Sequence, residues 1–183
     1  MSATKAIVQE GTPVLREIAQ PVPETMFGTA ELAKIIADMS AALDKEEDGV
    51  ALAAPQIAVP YRIFIVRMDR TVPPPPEVDN APTAKAKAIV DVYINPEIVK
   101  TSRKRAKADE GCLSVRGVYG TTNRHERVTL KARHLDGSPT MRGAGGLLAQ
   151  IFEHEVDHLN GILFIDHAEN MVEIQRTTES HAA

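Results

Sequence analysis

The sequence predicts an α+β fold: a single domain of mixed and antiparallel β-sheets packed around one central helix. Three observations carry that reading. Segments with strand character crowd the middle of the chain and precede one strongly patterned helix, where a βαβ protein would alternate them. The length of 183 residues fits one domain spanning 1–183. The composition, 43% hydrophobic and 25% charged, matches ordinary globular usage and excludes a disordered, collagen-like or disulfide-built chain.

Residues 5–28 hold Pro13, Pro21 and Pro23, which bar a helix interior and predict irregular chain. From Glu31 to Asp44, Leu32, Ile35, Ile36, Met39 and Leu43 recur on one helical face, with Thr29 placed as N-cap. Gly49 to Gln56 (GVALAAPQ) has no charge and many small side chains. It reads as backbone that lets something approach closely, or as a buried loop or edge strand. Tyr61 to Met68 (YRIFIVRM) is rich in β-formers.

Residues 72–88, with Pro73 to Pro76 consecutive, predict a surface insertion that is long for a loop; it reads as a tolerated loop or as a lid. Ala88 to Val99 reads as one or two strands broken at Pro96. Arg127 to Leu135 alternates, with Val128, Leu130 and Ala132 on one side, and ends at the hairpin signal Asp136-Gly137. A helix is expected over Gly146 to Asn160, closed by Gly161. Residues 168–183 read as a short polar C-terminal segment.

Lys and Arg number 21 against 25 Asp and Glu, a net charge of −4, which argues against a DNA-binding protein. No run approaches 18 apolar residues, so neither a transmembrane helix nor a membrane partner is expected. Met1 to Gly11 has no apolar leader and no Arg-rich presequence, so the expected location is cytoplasmic. Aromatic residues are only 4% and Trp is absent, predicting an aliphatic core. Cys112 is the single cysteine and cannot form an intrachain disulfide.

The strongest chemical signal is His154-Glu155-Val156-Asp157-His158. Residues i and i+4 of a helix share a face one turn apart, so both imidazoles can reach one cation. Glu155 is rotated about 100° from His154, where a carboxylate can act as base beside the ion. The His pair continues the stripe of Leu147 and Ile151, so both rings are expected to face inward. Asp157 reads as an outer acceptor for a ligand His or as a surface carboxylate.

Two His leave a catalytic site one ligand short. A third His six residues on would complete a zinc-protease pattern, but that position is Phe164. Glu169, Glu173 and Glu179 are available but share no clear face with the pair. Cys112, in Glu110-Gly111-Cys112-Leu113-Ser114, is the remaining candidate, and its thiolate suits a borderline or soft divalent metal.

Three segments in this order, GVALAAPQ, EGCLS and HEVDH followed by Leu159-Asn160-Gly161, resemble the peptide deformylase family. The resemblance extends from about residue 5 to residue 167, taking in Gly11-Thr12-Pro13-Val14-Leu15-Arg16 and the strand Arg62 to Val66. It implies that Cys112, His154 and His158 bind the metal, Fe(II) in the cell, with zinc, nickel or cobalt exchanged in preparations. It implies Glu155 as general base and acid. Gln56, through its side-chain amide, and Leu113, through its backbone N–H, would stabilise the carbonyl oxygen under attack. The implied reaction removes formate from N-formyl-methionyl nascent peptides.

In this family the substrate lies extended like an added strand. Gly49, Val50, Ala51, Leu52, Gly111 and Ile151 are the expected lining. Ala51 departs from the family pattern, which has a second glycine there. Arg103 to Lys107 (RKRAK) reads as a contact to ribosomal RNA or as a solvated loop. The sequence fits a monomer or a dimer alike. Competing readings are a metalloendopeptidase on the same helix, opposed by Phe164 and EGCLS, and a binding module with a closed metal site.

Overall fold

Helix α1 (Ala30–Leu43) begins where Thr29 accepts a hydrogen bond from the Leu32 N–H at 3.3 Å, the N-cap that the sequence predicts. Its apolar face lies on a five-stranded sheet. A computed structural model describes residues 5–72 and 88–174, and shows two antiparallel sheets with one long helix between them. The larger sheet contains β1 (Ala51–Ala53), β2 (Ile63–Arg67), β3 (Val90–Thr101), β6 (Arg127–Arg133) and β7 (Pro139–Gly145), in the order β1-β2-β3-β6-β7. The smaller contains β4 (Arg105–Cys112), β5 (Val115–His125) and β8 (Glu169–Glu173), in the order β4-β5-β8.

Alternation of side chains sorts the core into two layers. Phe64 and Val66 of β2, with Ala51 and Ala53 of β1, face helix α2 (Leu147–Leu159) and meet its Ala149, Phe152 and Val156. Ile63, Ile65 and Leu52 point the other way, against Leu32, Met39 and Leu43 of α1. With helices on both faces, β2 is buried throughout, hence the nearly unbroken apolar run IFIV. The buried residues on the α1 side are aliphatic, as composition predicts. The α2 side departs from that: Phe64, Tyr93 and Phe152 cluster there, with ring centroids 4.9, 5.0 and 5.8 Å apart.

Several expectations are corrected. Of the one or two strands expected over Ala88 to Val99 the structure has one, and Pro96 lies inside it rather than breaking it. The chain stays in β3 because the irregularity is absorbed in a bulge, with Asn95 at φ +49°. Asn95 also exchanges hydrogen bonds with the Val22 backbone at 2.8 and 2.9 Å. Arg105 to Lys107 is the start of a strand, not a loop. Residues 169–173 of the supposed polar tail add β8 to the edge of β5. Residues 73–87 of the expected insertion and 175–183 of the expected tail lie outside the described residues.

Candidate metal centre and cleft

Helix α2 brings the candidate donors to the cleft because its two faces meet different partners. One face packs on the larger sheet; the other presents His154 and His158 to the turn that joins β4 and β5, where Cys112 sits. The donor atoms of Cys112, His154 and His158 lie within 4.8 Å of one another, with Cys112 Sγ 3.2 Å from His158 Nε2. Metal–sulfur and metal–nitrogen bonds of about 2.3 and 2.1 Å at a tetrahedral angle would put S and N about 3.6 Å apart. The separation therefore suits a shared divalent ion, and the two rings, 74° apart in plane, converge from successive turns. Phe164 is no ligand: it is buried and stacks on His154 at 6.3 Å.

A charged network lies behind these three candidate donors. His154 Nδ1 lies 3.1 Å from Glu110 Oε2, which leaves its Nε2 for the centre. Glu110 is buried and also accepts from Arg124 Nε and Nη2 at 2.7 and 2.9 Å and from Thr122 at 2.9 Å. Burial disfavours charge on Glu110, but the hydrogen bonds from Arg124 and His154 outweigh it and hold its carboxyl well below the usual range. Arg124 further donates to Asp157 at 2.7 Å, and His167 lies 3.4 Å from Asp157. Asp157 thus meets Arg124 and His167 rather than the candidate donors His154 and His158.

Sequence reasoning misses Arg124 and Thr122. Their signal exists only in the register: Glu110 pairs with Gly120, so Thr122 and Arg124 follow on the same face of β5 at a period of two.

Glu155 is 4% exposed and its Oε2 has no partner among the described residues. Burial pushes its carboxyl up to about 7, against the opposing pull of His154. A carboxyl so poised can take and return a proton near neutral pH. Gln56 is fixed at both ends of its amide. Its Oε1 accepts from the Ala53 N–H at 2.8 Å, and its Nε2 donates to Ser114 Oγ at 3.1 Å and lies 3.7 Å from Cys112 Sγ. The residues 54–57 form a single 3-10 turn after β1, which carries Gln56 back toward Cys112.

These groups open onto a cleft of about 730 Å³ between the β1 edge, the β4–β5 turn and α2. Of the residues expected to line the substrate, Gly49, Val50, Ala51, Gly111 and Ile151 border this cleft, and Leu113 borders it too. Leu52 does not. Alternation along β1 turns it into the α1 core, where it is completely buried. Leu147, expected to face the core, is 47% exposed and borders the cleft, with Tyr119 and Ile174 beside it. Gly111 has a local reason to be glycine: a Cβ there would lie 2.8 Å from the Tyr119 ring.

A family model described as polypeptide deformylase matches residues 4–173. A peptide deformylase of Carboxydothermus hydrogenoformans is 38% identical over 170 residues, covering 93% of this chain and 97% of its own. One from Halothermothrix orenii is 40% identical over 156 residues, covering 85% and 88%. A Met-Ala-Ser-bound structure of a class I type b peptide deformylase from Acinetobacter baumannii superposes with a TM-score of 0.77 at 34% identity, covering 91% of this chain and 99% of that one. A Legionella pneumophila peptide deformylase gives 0.77 at 35% identity, covering 92% and 88%. With its fold, its three ordered motifs and these relatives in agreement, the chain belongs to the polypeptide deformylase family, hydrolases that remove the N-formyl group from formyl-methionyl polypeptides.

Proposed function

We propose that Cys112, His154 and His158 hold one divalent cation and that the cleft around it deformylates nascent chains. The observation that carries this reading is the convergence of those three donors beside buried Glu155 and anchored Gln56. Fe(II) is the proposed cation in the cell, with zinc, nickel or cobalt able to replace it. A bound cation supplies Lewis acidity and acidifies water at its open position.

The protein does the rest. Glu155 accepts the proton of the attacking water and passes it to the leaving amine nitrogen as the C–N bond breaks, so formate and a free amino terminus result. Gln56 Nε2 and the Leu113 N–H stabilise the charge that develops on the formyl oxygen; loss of one such donor costs about 10²–10³ in rate. The peptide lies extended between β1 and β4, with Gly49, Val50, Ala51, Gly111 and Ile151 against it.

The basic edge at Arg103, Lys104, Arg105 and Lys107 is the surface we assign to ribosomal RNA, supported by its exposure in a chain of net charge −4. No helix among the described residues is long and apolar enough to cross a membrane. A cytoplasmic site of action agrees with the single cysteine.

The test is formate release from formyl-Met-Ala-Ser. Glu155→Ala is expected to keep the metal and lose about 10²–10⁴ in turnover. Cleavage of internal peptide bonds without formate release would overturn the reading.

A further inference from the structure

The metal centre does not account for an irregularity on the cleft wall. Strands β4 and β5 pair evenly from Arg105↔His125 to Gly111↔Tyr119, yet Cys112 pairs with Val115. Arg116, Gly117 and Val118 are therefore extra residues on β5. A bulge of this kind bends its strand and re-aims a side chain. Gly117 makes it possible: its φ is +77°, and a Cβ there would lie 3.1 Å from the Ile174 carbonyl oxygen. The Ile174 N–H in turn donates to the Gly117 carbonyl at 2.7 Å, tying the bulge to the end of β8.

The side chain so aimed is Arg116. It forms a bidentate pair with Glu46, Nη1 to Oε2 at 3.0 Å and Nη2 to Oε1 at 2.7 Å. Glu46 stands on the opposite wall, in the loop between α1 and β1. That loop is held from behind by Arg70, whose Nη1 donates to the carbonyls of Glu46 and Gly49 at 2.7 and 2.6 Å. The walls also meet where Gly49 faces Leu113; a Cβ at Gly49 would lie 3.1 Å from Leu113 Cδ1. Arg116 and Glu46 both border the cleft.

An extended peptide pairing with a strand edge on each side needs those edges about 9–10 Å apart, two strand spacings. Drift of one wall loses hydrogen bonds along the peptide, chiefly away from the metal. We propose that the Arg116–Glu46 pair straps the two walls together and positions the peptide residues that follow the formyl-methionine. The strap acts on substrate held between the walls, so it rests on the deformylase reading of the same cleft.

The test compares the parent, Arg116→Gln, Glu46→Gln and the exchanged pair Arg116→Glu with Glu46→Arg, all metal-loaded. With formyl-Met-Ala-Ser, each single variant is expected to raise KM about fivefold, equivalent to about 1 kcal/mol, while kcat falls less. The exchanged pair recovers most of the loss. The parent KM rises with added salt, and the single variants lose that dependence. An unchanged KM, a kcat loss equal to the KM change, or no recovery in the exchanged pair overturns the strap.

Amide hydrogen exchange of the same proteins gives a readout without turnover. Residues 45–49 and 114–118 are expected to exchange about tenfold faster in the single variants. Unchanged exchange overturns the strap, whereas faster exchange in a protein that releases no formate overturns the deformylase reading alone.

Discussion

Replacing Glu110 with glutamine keeps the shape of the side chain and removes its charge. Glu110 receives two hydrogen bonds from Arg124, one from Thr122 and one from His154, in a site only 5% exposed. Removing one partner of a buried ion pair costs about 3–5 kcal/mol. Asp157 keeps a 2.7 Å contact to Arg124, so the loss belongs at the lower end, about 3 kcal/mol. With an m-value of about 2 kcal/mol per M urea, the unfolding midpoint of the metal-free protein drops by about 1.5 M.

The same substitution weakens the acceptor that orients His154, which lowers metal affinity about 10–100-fold in a chelator competition. The pH dependence has a definite sign. A carboxyl depressed in the folded state contributes stability above its unfolded value and loses it as pH falls through the folded one. The parent therefore loses this contribution in acid, and Glu110→Gln has none to lose. A variant within about 0.3 M of the parent midpoint, with parental metal affinity, would refute the reasoning.

Other predictions concern different parts of the molecule. In the metal-free protein, raised Glu155 stabilises the fold below its unfolded value near 4.5 and loses that contribution as pH rises through about 7; Glu155→Gln is expected to flatten this slope in denaturation curves taken between pH 4 and 8. Gly161→Ala combines φ +74° with a Cβ only 2.5 Å from the Arg16 carbonyl oxygen, and is expected to destabilise by about 2 kcal/mol or more, whereas Gly143→Ala, whose Cβ meets nothing within 4 Å, serves as control in the same urea titration. Phe152→Ala removes the centre of the aromatic cluster and is expected to cost about 3–5 kcal/mol by thermal or urea unfolding.

What the sequence revealed and what it hid follow from how each signal arises. The His154–His158 spacing is local to one helix, so it survives any tertiary arrangement. Cys112 becomes a candidate third donor only because the His pair is one donor short. The α1 stripe and the Asp136-Gly137 hairpin are likewise local. Strands β4 and β5 escaped because RAKADEGC and VRGVYGTTNRH lack a clean period-two pattern of apolar residues. Arg124 and Thr122 reach Glu110 only through cross-strand register, which no linear pattern reports. Leu52 departs from its expected place for the opposite reason: as neighbours on β1, Ala51 and Leu52 must point to opposite faces, and only one face borders the cleft.

The most direct test of the account is metal analysis of anaerobically purified protein, coupled to formate release, for the parent and for Cys112→Ser. About one divalent metal per chain and turnover are expected in the parent, and at least a tenfold loss of both affinity and turnover in the variant. A Cys112→Ser protein that retains its metal and full activity would contradict it.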